Sequence, residues 1–116
     1  MKDLEPEDAK LVTLARATWA RTGAAEGAAV RDQDGRTYVA ATVSLPSLAL
    51  SALEAAVALA ASSGASGLEA AAVVKAVAGD VGDGIEGIAA VRELGGEGAP
   101  VFVADGAGTI AYTARA

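Results

Sequence analysis

The residues able to do chemistry in this chain are few, and most of them are carboxylates. Asp80, Asp83 and Glu86 alternate with Gly82, Gly84 and Gly87, and acids set among glycines can converge on a hard cation such as Mg²⁺ or Ca²⁺. Their spacing matches no EF-hand loop, so a solvated acidic loop is expected rather than an ion site. The same glycines read as G-x-G-x-x-G ahead of a helical stretch, a pattern that lets backbone approach a pyrophosphate. Asp83 and Glu86 would repel that anion at the helix N-terminus, so no dinucleotide is expected. Glu54 is a different case, a single acid in a long apolar stretch, where a carboxylate must be paired, hydrogen-bonded or placed at an edge. It either meets an arginine across a subunit interface or faces a solvent-filled pocket, and a catalytic pair would require it to approach Asp83 or Glu86. Ser51 has no histidine to activate it, and a helical serine bonds by default to a backbone carbonyl.

Histidine and cysteine are both absent. That removes the imidazole ligand and general base, the thiolate nucleophile and metal ligand, and any disulfide. No zinc site and no cofactor are expected. The net charge of −6, with arginines and lysines scattered along the chain, disfavours nucleic acid, whose phosphates must be neutralised by clustered cations. The acidic start, Lys2-Asp3-Leu4-Glu5-Pro6-Glu7-Asp8, is the opposite of a secretory signal, so a cytoplasmic location is expected. The longest apolar run, 48–61, is interrupted by Ser51 and Glu54 and falls short of the roughly 20 residues that span a bilayer. No membrane segment is expected.

At 116 residues the chain has the length of a single domain, 1–116. Hydrophobic residues make up 53% but aromatics only 3%, so the core is built from Ala, Val and Leu. Small side chains bury little area each, at about 25 cal/mol per Å², so burial against a second copy is the natural supplement. Pro6, Glu7 and Asp8 open a helix carrying Leu11, Leu14, Ala15, Thr18 and Trp19 at helical spacing, with Gly23 as its stop. Trp19 is expected to pack as a core or interface anchor. Segments 25–31 and 36–43 bracket Asp34-Gly35, a strong hairpin signal. After the cap and turn residues Ser44-Leu45-Pro46-Ser47, a helix is predicted over 48–62, apolar nearly all round and stopped by Gly64. A strand over 67–78, whose alanines leave a helix as the alternative, a Gly/Asp-rich loop over 79–84, a helix over 85–94, a strand over 100–104, a turn over 105–108 and a strand over 109–113 complete the order α-β-β-α-β-α-β-β. The strand–helix–strand alternation favours a right-handed crossover and parallel pairing.

This order, with Gly27-Ala28-Ala29-Val30 in the first strand and Asp34-Gly35 in its turn, resembles the cytidine deaminases. The resemblance implies a three-layer α/β/α domain with a mixed sheet of about five strands. Members carry an Asn-Val-Glu strand end, a Cys-Ala-Glu motif opening the buried helix and a Pro-Cys-x-x-Cys motif opening the next. In a gapless register Thr42-Val43-Ser44 stands at the first of these, with Thr42 and Ser44 at the ribose-binding positions. Leu53 falls at the first zinc cysteine and Ala55 at the catalytic glutamate; a shift of one residue would put Glu54 there instead. Anchored on Val91-Arg92-Glu93-Leu94-Gly95, the second motif places Asp83 at the proline and Gly84 and Gly87 at the two cysteines. Ala24 stands where an aromatic usually packs against the base.

The family's reaction needs a zinc-bound water that loses a proton near neutral pH and a positioned glutamate to shuttle it. Leu53, Gly84 and Gly87 supply no ligand, so the resemblance implies a member that has lost the zinc site and the catalytic glutamate. The expected role is a structural or protein-interaction module, assembled as a homodimer or homotetramer and able to take a protein partner. The alternatives are a nucleoside or nucleotide sensor in the vestigial pocket, where Thr42 and Ser44 could bond a ribose, and an enzyme of unrelated chemistry in the same cleft.

Overall fold

The computed structural model describes residues 4–77 and 85–116. Helix α1 (Pro6–Thr22) has proline in its first turn, Glu7 and Asp8 facing its positive end, and Gly23 in the left-handed conformation at its C-cap. Strands β1 (Glu26–Asp32) and β2 (Thr37–Ala41) pair antiparallel around the Asp34-Gly35 turn. Two short strands, β3 (Val43–Leu45) and β4 (Leu48–Leu50), then form their own antiparallel pair. Helix α2 (Ala52–Ser62) follows, then β5 (Leu68–Lys75), the one-turn helix α3 (Ile88–Val91), β6 (Pro100–Ala104) and β7 (Ile110–Arg115).

The main sheet runs β2-β1-β5-β6-β7, with β5 and β6 parallel and every other pair antiparallel. The single parallel pair is the one joined across α3, as expected for a connection too long for a hairpin. On one face Leu11, Val12 and Ala15 of α1 cover Ala29, Ala70, Ala72, Val74 and Phe102. On the other, Leu53, Ala56, Val57 and Ala60 of α2, with Val91 of α3, cover Ala28, Val30, Ala71, Val73 and Val101. The result is a three-layer α/β/α domain whose sheet has alanine and valine on both sides.

Small residues allow the layers to approach closely. At Gly27 in β1 a Cβ would overlap the Ala15 carbonyl and come within 2.7 Å of the Trp19 amide nitrogen, so only glycine permits α1 to lie this near the sheet. Trp19 extends over Gly106, where a Cβ would stand 2.6 Å from the indole, and is half-buried against the core on this face. Its place is that of the packing anchor expected from its helical spacing.

Two elements differ from the sequence expectation. The helix predicted over 48–62 begins at Ala52, because 48–50 leave helical geometry to pair with 43–45 across Pro46-Ser47, and Ser51 then acts as the N-cap. High helix propensity at Leu48, Ala49 and Leu50 yields to tertiary pairing. The helix predicted over 85–94 is regular only over Ile88–Val91; Arg92–Gly96 widens, and Gly95 turns left-handed at φ 73°. Within a single copy the sheet covers one side of α2, and Ala58, Leu59 and Ala61 are exposed on the other, Leu59 at 46%.

Candidate functional site

The antiparallel register of β1 and β5 sets Glu26 directly opposite Lys75 at the end of the sheet that faces the α2 N-terminus. Their side chains approach to 3.9 Å and stay about a quarter exposed. Two adjoining cavities, about 400 Å³ and 410 Å³, meet there and share Glu26, Ser51, Lys75 and Glu86 in their walls. Val73, Ile85 and Val103 give the first cavity an apolar side, while Thr42, Val43, Ser44 and Leu50 line the second. Sheet, β3–β4 hairpin and the α2 and α3 starts thus enclose one cleft.

Thr42 and Ser44, singled out in the sequence, both line this cleft. The Thr42 hydroxyl accepts the Glu26 N–H at 2.9 Å, and the Thr42 N–H donates to the Glu26 carbonyl at 3.2 Å, so this side chain pins the start of β1. Ser44 is exposed on the hairpin wall.

Ser51 and Glu54 form a capping box. The Ser51 Oγ accepts the Glu54 N–H at 3.1 Å, and the Glu54 carboxylate accepts the Ser51 N–H at 2.8 Å. The Ser51 hydroxyl donates in turn to the Glu86 carbonyl at 2.9 Å, tying α2 to the segment entering α3. The lone acid of the apolar stretch is therefore hydrogen-bonded at a helix end, and Ser51 is a cap instead of a mid-helix residue. Leu53 is buried in the core at 1% exposure, and Ala55 is half-buried on the next part of the turn. Gly87 lies against the same turn: a Cβ on it would stand 2.9 Å from the Glu54 nitrogen and 3.0 Å from the Leu53 Cβ, and its φ of 105° is one that side chains rarely adopt. Gly84 lies outside the described residues, as do Asp80, Gly82 and Asp83.

The zinc site implied by the resemblance does not fit these residues. Zinc takes thiolate, imidazole or carboxylate ligands in tetrahedral array, and a side chain at residue 87 would collide with α2 where a ligand would have to stand. Leu53 offers only hydrocarbon, and Glu54 is already committed to the Ser51 amide.

A second polar centre, not singled out in the sequence, sits at the far end of β1. Asp32 is 1% exposed, and its Oδ1 accepts the N–H groups of Asp34 and Arg36 at 2.9 and 3.0 Å while Oδ2 accepts the Tyr38 hydroxyl at 2.8 Å. Burial pushes the Asp32 carboxyl up, but the Tyr38 hydroxyl and the two backbone donors outweigh it and hold it below the usual carboxylate range. Hydrogen bonding to Asp32, reinforced by burial, raises the Tyr38 phenol above its ordinary value. This is a hairpin anchor, and the only advance sign of it was the Asx-turn chemistry of Asp32-Gln33-Asp34-Gly35. Glu26 and Lys75 were missed as well. The available signal was that each is a charged residue at one end of a strand whose centre is apolar.

Comparison with known proteins agrees with this architecture. A family model described as "Cytidine deaminase-like" matches residues 4–108. No curated protein matches. Among solved structures, a cytidine deaminase from Burkholderia pseudomallei superposes with a TM-score of 0.75 at 21% identity, covering 91% of this chain and 90% of that one. At that identity the likeness is one of fold.

Proposed function

The chain belongs to the cytidine deaminase-like family, and from that premise we propose that it is a non-catalytic member working as a structural or protein-interaction module. The observation that carries this reading is the packing of Gly87 against Leu53 and Glu54, which fills the junction of the two helix starts with hydrocarbon and a helix cap. A zinc-activated water needs ligands and a general base at one point, and what supports the reading is that, among the described residues of this junction, Leu53 and Gly87 offer no ligand and Glu54 serves as a helix cap. Exposed Leu45 and Leu48 at the β3–β4 tip, with Leu59 on α2, supply the apolar surface through which copies of the chain assemble as a dimer or tetramer. The test is to incubate the purified protein with cytidine, with and without added zinc, and to measure its mass in solution by light scattering. No uridine and a dimer or tetramer are expected; zinc-dependent release of uridine overturns the reading.

A second reading, a nucleoside sensor, is favoured by the cleft itself, since Thr42, Ser44 and Ser51 line a cavity of about 410 Å³, within the usual size range of small-molecule sites. Thermal melts against nucleosides test it, because a ligand at a hundred times its Kd stabilises the fold by about 2.7 kcal/mol.

A further inference from the structure

The charges in the cleft point to a ligand other than a neutral nucleoside. Glu26 and Lys75 are mounted on two paired strands of the main sheet, directly opposite one another. Glu26 is held further by Thr42, which bonds both its N–H and its carbonyl. The backbone that carries each charge therefore has a fixed position. At 3.9 Å the pair is in ion-pair range but beyond a direct hydrogen bond, and both side chains keep access to the cavities they divide. Glu86, an exposed residue, lines the same cavities, so two acidic residues and one lysine border the opening.

An anion entering there would meet a net negative wall, and a neutral ligand would strip water from three charges without matching them. A molecule carrying both an ammonium and a carboxylate matches each protein charge with its opposite. Ile85, partly exposed in the cavity wall in front of the buried Val73 and Val103, offers contact for a short aliphatic group. We propose that this cleft binds a small zwitterion of amino-acid size, with its ammonium on Glu26 and Glu86, its carboxylate on Lys75 and an aliphatic side chain against Ile85. The proposal rests on the reading that the cleft holds a small ligand, and it assigns that ligand to a different chemical class.

The experiment is calorimetric titration and thermal melting of the full chain with L-leucine, leucinamide, N-acetyl-leucine and cytidine. Leucine binds, and leucinamide and N-acetyl-leucine, each lacking one charge, bind about tenfold or more weakly. In Lys75→Met the preference for leucine over leucinamide disappears, while in Glu26→Gln leucine binding is lost with the circular dichroism spectrum and the melting of the unliganded protein retained. If leucinamide binds as tightly as leucine, or if leucine binding survives both substitutions, the assignment is overturned. Cytidine binding without leucine binding overturns it and leaves the nucleoside reading standing; binding of none of the four removes both.

Discussion

Ser51 and Glu54 hold each other at the first turn of α2, each side chain accepting the other's backbone N–H at 3.1 and 2.8 Å. A carboxylate engaged in this way serves as a cap, not as a free base. Ser51→Ala is expected to cost about 1 kcal/mol, a fall in melting temperature of roughly 4 °C for a domain of this size. Glu54→Gln retains a carbonyl oxygen to accept the Ser51 N–H and should cost clearly less than Glu54→Ala. Chemical denaturation of the three variants measures the order; an equal loss in Glu54→Gln and Glu54→Ala would mean that charge, rather than the reciprocal bond, sustains the turn.

Asp32 gives the fold an acid-sensitive contact. Its folded-state carboxyl titrates below the ordinary range, so the stabilisation it supplies is complete above about pH 4 and is lost as the pH falls through the lower folded value. Tyr38 has the opposite sign: its raised phenol contributes below about pH 10 and loses that contribution as the pH climbs through the folded value. Melting temperatures of the wild type minus those of Asp32→Asn should be positive at neutral pH and shrink as the pH falls below the ordinary carboxylate range through the lowered folded value. Asp34→Asn, at an exposed neighbour, serves as the control. A difference that stays constant with pH would remove the ionised carboxylate from the explanation.

The order of the main elements was legible because its signals are local: Pro6 and Gly23 bracket α1, Asp34-Gly35 turns the first hairpin, and Gly-Ala-Ala-Val resembles a family strand. The β3–β4 pair was not legible, because Leu48, Ala49 and Leu50 have helix-forming preferences and acquire their strand geometry only from Val43, Ser44 and Leu45 across the turn. The site was legible in part. Thr42 and Ser44 could be placed by motif register, whereas the Glu26–Lys75 pair exists only through the β1–β5 register, which joins residues far apart in the chain. The role of Glu54 was hidden for a related reason: with the helix begun at residue 48 it is interior, and with the helix begun at Ala52 it sits at the capping position.

Gly27 sets the distance between α1 and the sheet. Gly27→Ala would drive a methyl group into the Ala15 carbonyl and the Trp19 backbone, neither of which can move without shifting the whole helix. A loss of about 3 kcal/mol is expected, at the upper end for an overpacked core. Ala29→Gly, in the same strand, should cost less, about 1 kcal/mol, through backbone entropy and a lost methyl. Urea unfolding of both variants decides the matter, and a near-neutral Gly27→Ala would show that the helix can slide.

Leu45 and Leu48 stand at the β3–β4 tip with 59% and 48% exposure. Replacing both by serine should alter the stability of a single copy by less than about 0.5 kcal/mol, as for most surface sites away from the core. The same change should shift the solution mass toward the monomer when the tip is part of the assembly surface. Sedimentation at several concentrations separates the two effects. An unchanged mass distribution would move the assembly surface away from the hairpin.

Gly87 is where the proposed lack of a zinc site and the packing of the helix junction become one question. Its φ of 105° costs any other residue about 1 kcal/mol or more, and a Cβ there would press on the Glu54 nitrogen and the Leu53 Cβ. Gly87→Cys should therefore destabilise the chain by about 2 kcal/mol, and Leu53→Ala should not restore it, because alanine keeps the Cβ that the new side chain meets and the lost buried leucine adds a cost of its own. Zinc should raise the melting temperature of neither the wild type nor Gly87→Cys, since one thiolate does not make a tetrahedral site. If Gly87→Cys is as stable as the wild type and zinc stabilises it, the helix junction is roomier than its packing indicates, and the non-catalytic reading loses its main support.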